Sequence, residues 1–174
     1  MKKLYSTIMM LAMMVAALSL TACSSSSDDD GDGGGGSSSS LVLTTSDGTK
    51  YYLLEDNGDN DWMGHLTDRS PQTIWCFMEK KNPRNIVYLH VYLEDGGMTM
   101  SDFTKGYDLG HPTINFGQSI TVTNEFYYVS GSIKVKSSGS SKFVLEFNNY
   151  VAEKANGNTI TINGTLDVQD GDYF

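Results

Sequence analysis

The sequence predicts an all-β domain, an antiparallel β-sandwich or partly closed β-barrel of about seven to eight strands. Three observations carry this expectation. From Leu41 onward apolar residues recur with a period of two, not 3.6. The alternating runs are short and are punctuated by clusters of Gly, Ser, Asn, Asp and Pro. Only Met98–Phe103 suits a helix, and it has room for one or two turns at most.

Taken in order, Leu41–Thr45 and Lys50–Glu55 flank Ser46-Asp47-Gly48, a short hairpin signal. Thr73–Met78 and Asn85–Glu94 read as two further strands joined through Glu79–Arg84, with Pro83 in the turn. Ser119–Thr123 suits another short strand. Phe126–Lys136 places Tyr127, Val129, Ile133 and Val135 on one face, with Ser130, Ser132, Lys134 and Lys136 opposite. Phe143, Leu145 and Phe147 alternate with Lys142, Glu146 and Asn148. In Thr159–Val168 the residues Ile160, Ile162, Leu166 and Val168 share one side. Turn-like stretches at Ser137–Ser141 and Ala155–Asn158 make these last three segments an antiparallel meander with one wet face.

Ahead of this domain the chain has a different character. Lys2 and Lys3 precede a nearly continuous apolar stretch from Ile8 to Leu18, then Leu20-Thr21-Ala22-Cys23. The apolar core is roughly half of the ~20 residues needed to span a bilayer, and no basic stop-transfer cluster follows it. Residues 1–22 therefore read as a secretory signal segment. Leu20, Thr21, Ala22 and Cys23 resemble a bacterial lipobox at every position. The resemblance implies cleavage before Cys23 and acylation of its thiol, so that the membrane is a partner through the acyl anchor. It implies an outer membrane-anchored lipoprotein, displayed at the cell surface or facing the periplasm.

Residues 23–40 form the lipidated cysteine and a tether. Positions 24–40 hold only eight Ser, four Asp and five Gly, a composition with nothing to bury. A Gly/Ser coil of this length spans roughly 23 Å r.m.s. and at most about 60 Å when taut. Asp28, Asp29, Asp30 and Asp32 resemble the acidic export signal of surface-displayed lipoproteins, although Ser24 to Ser27 separate them from Cys23. Gly31 to Gly36 satisfies G-x-G-x-x-G only by letter, because it follows no strand and opens no helix.

Residues 41–174 make one all-β domain. Within it, Ser130-Gly131-x-Ile133-x-Val135, Leu145-x-Phe147-Asn148-Asn149 and Ile162-Asn163-Gly164-Thr165-Leu166 resemble the C-terminal half of small β-rich surface lipoproteins from gut Gram-negative anaerobes. That likeness implies a fold type and no activity.

Acylation of Cys23 would leave Cys76 as the sole thiol, so no disulfide framework is expected and the core must hold the domain. Loss of Lys2 and Lys3 takes the formal charge from −9 to −11. Nucleic acid is excluded as a partner by that balance, and an anionic membrane face is disfavoured.

Catalytic signatures are absent: no G-x-S-x-G, H-E-x-x-H or G-x-x-x-x-G-K-[ST] occurs. His65 and His111 fall in expected loops and His90 in a strand, with no pair spaced for a shared metal. The loop Glu55–Asp61 is the one cation candidate, with Asp56, Asp59 and Asp61 as calcium ligands; a solvated turn is the simpler reading of the same residues. Cys76, between Ile74 and Met78 on one strand face, reads as a core thiol. On Ile86–Glu94, Val87, Leu89, Val91 and Leu93 form a core face, leaving Tyr88, His90 and Tyr92 on the reverse. Aromatic rings flanking a histidine suit stacking on a sugar or lining a ligand site, with Trp62 at its rim.

The expectation is a cell-envelope lipoprotein with a non-catalytic, ligand- or partner-binding β domain, taking a glycan, a small apolar ligand or a protein. No cofactor is expected beyond the calcium candidate. The alternative is a structural or interaction protein, such as an accessory subunit of a surface assembly or an enzyme inhibitor.

Overall fold

The computed structural model describes residues 40–54, 64–68 and 70–170. The domain is all-β. Nine strands make one sheet: β1 (Val42–Thr45), β2 (Lys50–Leu53), β3 (Gly64–Leu66), β4 (Thr73–Lys81), β5 (Arg84–Tyr92), β6 (Ile114–Gly117), β7 (Glu125–Ser138), β8 (Lys142–Glu153) and β9 (Thr159–Asp170). The sheet closes on itself. Its order is β1-β2-β4-β3-β9-β8-β7-β6-β5, and two further pairings, β4–β5 and β1–β9, complete the ring.

Closure depends on two strands that each serve two neighbours on one side. Along β4, Glu79 and Met78 pair with β2, while Trp75 and Ile74 pair with β3. Along β9, residues Ile160 to Asn163 pair with β1, and Val168 to Asp170 pair with β3. The β1–β2 hairpin and β3 thus fill the same gap at different heights. Every described strand has a neighbour on each side, so none of them is an edge strand. The β3–β9 pairing is parallel, a departure from the all-antiparallel expectation.

The inner face is the core. Ile74 faces Val91, Cys76 faces Leu89 and Met78 faces Val87 across β4 and β5, and all six are buried. Phe143, Leu145 and Phe147 of β8 and Ile160, Ile162, Leu166 and Val168 of β9 join them. Burying each such side chain contributes about 1.5–3 kcal/mol. Cys76 is a free, buried thiol, as its apolar neighbours imply; burial pushes its pKa far up.

A long connection from Leu93 to Thr113 caps one end. Gln72 holds it: its amide nitrogen donates to the Met98 carbonyl at 2.6 Å, and its amide oxygen accepts from the Met98 N–H at 2.8 Å. The short helix expected at Met98–Phe103 is a single 3₁₀ turn, Met100–Asp102, closed by a capping box between Thr99 and Asp102. Phe103 then drops into the core and stacks on Phe143, with centroids 4.2 Å apart and planes 8° from parallel. Beyond it, Gly106 and Leu109 donate to β7 carbonyls and Tyr107 accepts from Val135 N–H. This covers the part of β7 that β6 does not reach.

Two bulges change which residues face inward. In β7, Phe126 is buried while Tyr127 and Val129 are about half exposed, yet Ile133 and Val135 are buried. The expected single face is therefore wrong before Gly131 and right after it. Gly131 has φ +91°, and the β7–β8 register shifts on both sides of Ser130, which reverses the alternation. In β8 the switch falls between Phe147 and Tyr150, where Asn149 takes φ 45°. Two strands escape sequence reading. β3 is only three residues long, and β6 lies at Ile114–Gly117, not at Ser119–Thr123, which is an exposed loop with a 3₁₀ turn at Val122–Asn124.

A Cβ on Gly131 would lie 2.1 Å from the Asn149 carbonyl oxygen, whereas one on Gly48 (φ +82°) would meet nothing within 4 Å. Gly48→Ala is expected to cost about 1 kcal/mol from backbone conformation alone. Gly131→Ala adds a backbone clash and should cost at least about 3 kcal/mol. Urea unfolding of the two variants checks this; equal costs would contradict the bulge geometry.

Candidate functional site

The outer face of β3 to β7 carries an unusual row. His65 on β3 lies opposite Trp75 on β4, Trp75 opposite His90 on β5, His90 opposite Asn115 on β6, and Asn115 opposite Glu125 on β7. In the next row Phe77 faces Tyr88, which faces Gly117; on the other side Thr73 faces Tyr92. Strand alternation puts Trp75 and Phe77 on the side away from Ile74, Cys76 and Met78.

The rings touch. His65 and Trp75 stack with centroids 4.8 Å apart, and Trp75 and His90 lie 6.4 Å apart with planes inclined by 24°. Phe77 meets Trp75 edge-on at 5.4 Å, and Tyr88 sits 5.0 Å from Phe77 and 6.0 Å from His90. Leu54 closes one side, its N–H donating to the Phe77 carbonyl at 3.0 Å. Asn115 is buried and donates to the Thr121 carbonyl at 2.8 Å, tying the β6–β7 loop back onto the row.

The sequence-derived face is real but not open. Tyr88 and Tyr92 are half-buried. His90 is only 7% exposed, which corrects the expectation of an accessible histidine between two tyrosines. Among the described residues its Nε2 has no hydrogen-bond partner. Loss of water pushes its imidazole down to about 4, and His65 is lowered for the same reason. Burial, and then the Glu125 charge, raises the Tyr92 phenol. At neutral pH the row is therefore uncharged between His65 and Asn115.

His65 is a strand residue, not a loop residue as the sequence suggested. His111 is exposed and stacks on Tyr128 at 3.9 Å, away from the row. With Trp75 between them, His65 and His90 stand two strand spacings apart, roughly 10 Å, too far to share an ion. Among the described residues no three His, Cys, Asp or Glu gather as a metal site requires. Trp62, the calcium candidates Asp56, Asp59 and Asp61, and the lipobox Leu20, Thr21, Ala22 and Cys23 lie outside the described residues. Sequence reasoning singled out Tyr88, His90 and Tyr92 by alternation. It did not join Trp75, Phe77 and His65 to them, because that requires the register.

Neutral imidazoles, a buried indole and half-exposed Phe77 and Tyr88 offer flat apolar surface with polar tips. Such a surface stacks on flat ligands or sugar rings. No family model matches the chain, and neither a curated protein nor a solved structure matches it. The site is read from its own chemistry.

Because His90 is harder to protonate in the fold than in the open chain, the unfolded state gains a proton first as pH falls. Its contribution to stability is complete above pH 6.5 and is lost between about 6.5 and 4. Asp47 and Asp102, held low by hydrogen bonds from Thr45 and Thr49 and from Thr99, lose theirs at lower pH. Urea midpoints should fall by the equivalent of about 2–3 kcal/mol across the histidine window, and His90→Gln should flatten most of that slope. A flat wild-type profile between pH 6.5 and 4.5 would contradict the burial of His90.

Proposed function

We propose that the protein is a cell-envelope lipoprotein, held at the outer membrane through acyl chains on Cys23, whose β domain is a non-catalytic binding module. The binding surface is the outer face around Tyr88, His90 and Tyr92, extended by Trp75 and Phe77. The observation that carries this reading is the ring cluster on the side of the sheet opposite the core. A barrel that only needed to fold would keep its large rings inside and polar residues out. The inner face, by contrast, is occupied by the protein's own side chains, with Phe103 on Phe143 closing it. That favours an external ligand surface over an enclosed one. The ligand class that best suits half-exposed tyrosines beside neutral imidazoles is a glycan.

The alternative of a protein-binding accessory subunit has support in exposed Tyr127 and Val129 on β7. Insertion of a partner strand is the less favoured form of it, since each described strand already has two neighbours.

Replacing both Tyr88 and Tyr92 with alanine is expected to weaken retention on immobilised glycans at least tenfold while the thermal midpoint moves by only a few degrees. Unchanged retention by a folded double variant would sink the aromatic-face reading. Separately, Cys23→Ser should abolish incorporation of a labelled fatty acid. Undiminished incorporation into the variant would contradict the anchor.

A further inference from the structure

The four connections Ser46–Thr49, Asn82–Pro83, Gln118–Asn124 and Lys154–Asn158 form one rim of the closed sheet. They touch in a circuit. Lys80, at the end of β4, is close enough to Asp47 to add to the hydrogen bonds from Thr45 and Thr49 that hold its carboxyl at about 2. Gln118 donates to Asn85 at 3.0 Å, Lys154 reaches Asn124 at 3.4 Å, and Ser46 N–H donates to the Thr159 carbonyl. The other rim is built from residues 67–72, 93–113 and 139–141.

The two rims differ in kind. All six exposed large hydrophobics among the described residues, Tyr52, Ile86, Ile120, Val122, Tyr127 and Val129, lie at or near the first rim. Ile120 and Val122 are 56% and 78% exposed, at the tip of a loop, Gly117–Asn124, that carries no charge. Tyr52 and Ile86 flank it through the row Tyr52–Glu79–Ile86. Tyr127 pairs with Glu153 beside the Lys154 turn. Around these stand Lys50, Lys80, Lys81, Arg84 and Lys154, against Asp47, Glu79, Glu125 and Glu153, an excess of one positive charge. The opposite rim holds Asp68, Glu94, Asp95, Asp102, Asp108 and Asp170, against Lys105, Lys142 and Lys134, the last paired with Asp108 at 3.3 Å, among the described residues.

We infer that this rim docks on a bilayer surface bearing anionic phosphate headgroups, with Ile120 and Val122 inserted at the interface. Aliphatic tips ringed by tyrosines and Lys or Arg are the composition that such an interface favours. The overall negative charge does not oppose this. The acidic rim lies roughly 30 Å away along the strands, several screening lengths of about 8 Å at physiological salt. Only the near rim's charge is felt at the surface. The length and end of the chain outside the described domain fit the same occupant. Residues 24–39, up to about 60 Å of polar chain, lead from Cys23 to Ser40, which is fixed on β9 by Ser40 N–H donating to Thr165. An anchor at Cys23 leaves either rim within reach of the membrane, and the rim's chemistry selects which one rests on it. The docking would hold the Tyr88 face sideways, clear of the headgroups. It does not depend on what, if anything, that face binds.

The test uses the mature chain, residues 23–174, carrying Cys23→Ser, so that neither acyl chains nor the signal segment contribute, in co-sedimentation with phosphatidylcholine vesicles with and without about one-third phosphatidylglycerol. Association is expected with the anionic vesicles and should fall several-fold between about 0.05 M and about 0.3 M salt. Ile120→Ser with Val122→Ser, both at exposed positions, should weaken it about tenfold while the thermal midpoint stays within a few degrees. Lys80→Gln with Lys81→Gln should weaken it about 25-fold, at roughly fivefold per charge. Glu94→Gln with Asp95→Asn, on the far rim, should change it less than twofold. No association at low salt, equal association with both vesicle types, or indifference to the Ile120 and Val122 changes would each overturn the proposal. A far-rim effect as large as the lysine effect would also overturn it, since net charge and not the rim would then be responsible.

Discussion

The pairing of β4 with two partners on one edge is the constraint on which the rest of the structure depends. Its later residues hold the β1–β2 hairpin through Tyr52 and Leu53, and its earlier residues hold β3 through His65 and Leu66. Because β9 does the same from the other side, the gap between the two long strands is closed by pieces of three and four residues. An isolated strand of that length would not persist in water. Held between two long neighbours, each piece completes a ladder, and the sheet gains a continuous inside and outside.

That division assigns chemistry. Inside, Ile74, Cys76 and Met78 meet Val91, Leu89 and Val87. Outside, the same two strands present Trp75, Phe77, His90 and Tyr88. A sheet with one wet face would put polar residues there. The buried indole and the desolvated His90 instead make a second apolar layer at a stability cost that rises as pH falls through the histidine range. An arrangement that a fold does not need for its own core is where a binding surface is best sought. The closed ring also explains why the two ends differ. One end is sealed by a long connection, pinned by Gln72 and plugged by Phe103, and its surface is acidic. The other is made of short turns with aliphatic tips and basic side chains.

Much of this was legible in the sequence where alternation runs unbroken. β9 keeps one parity from Ile160 to Val168, and Tyr88, His90 and Tyr92 share a face as their spacing requires. Legibility failed where a local backbone event outweighs the pattern. Gly131 and Asn149 each insert a bulge, and Tyr127 and Val129, apolar and correctly spaced, end up outside. Gly131 within a strand was the available signal. Ser119–Thr123 alternates like a strand, yet Ile120 and Val122 face solvent, because their apolar character does not come from a core. β3 is too short to leave a periodicity, and it takes its place only because Trp75 and Val168 are already positioned on either side. Ring contacts between His65, Trp75 and His90 follow from register, which no single strand encodes.

Backbone amide hydrogen exchange at the seam tests the closed ring most directly. Protection of Gly64–Leu66 on β3 and of Val42–Thr45 on β1 is expected to be lost only with that of Leu145 and Ile162, in one cooperative global opening. Exchange of the β1–β2 hairpin and β3 at a far lower free energy, with β7, β8 and β9 still protected, would mean an open sheet whose edges come and go. It would contradict both the closure and the fixed outer face built on it.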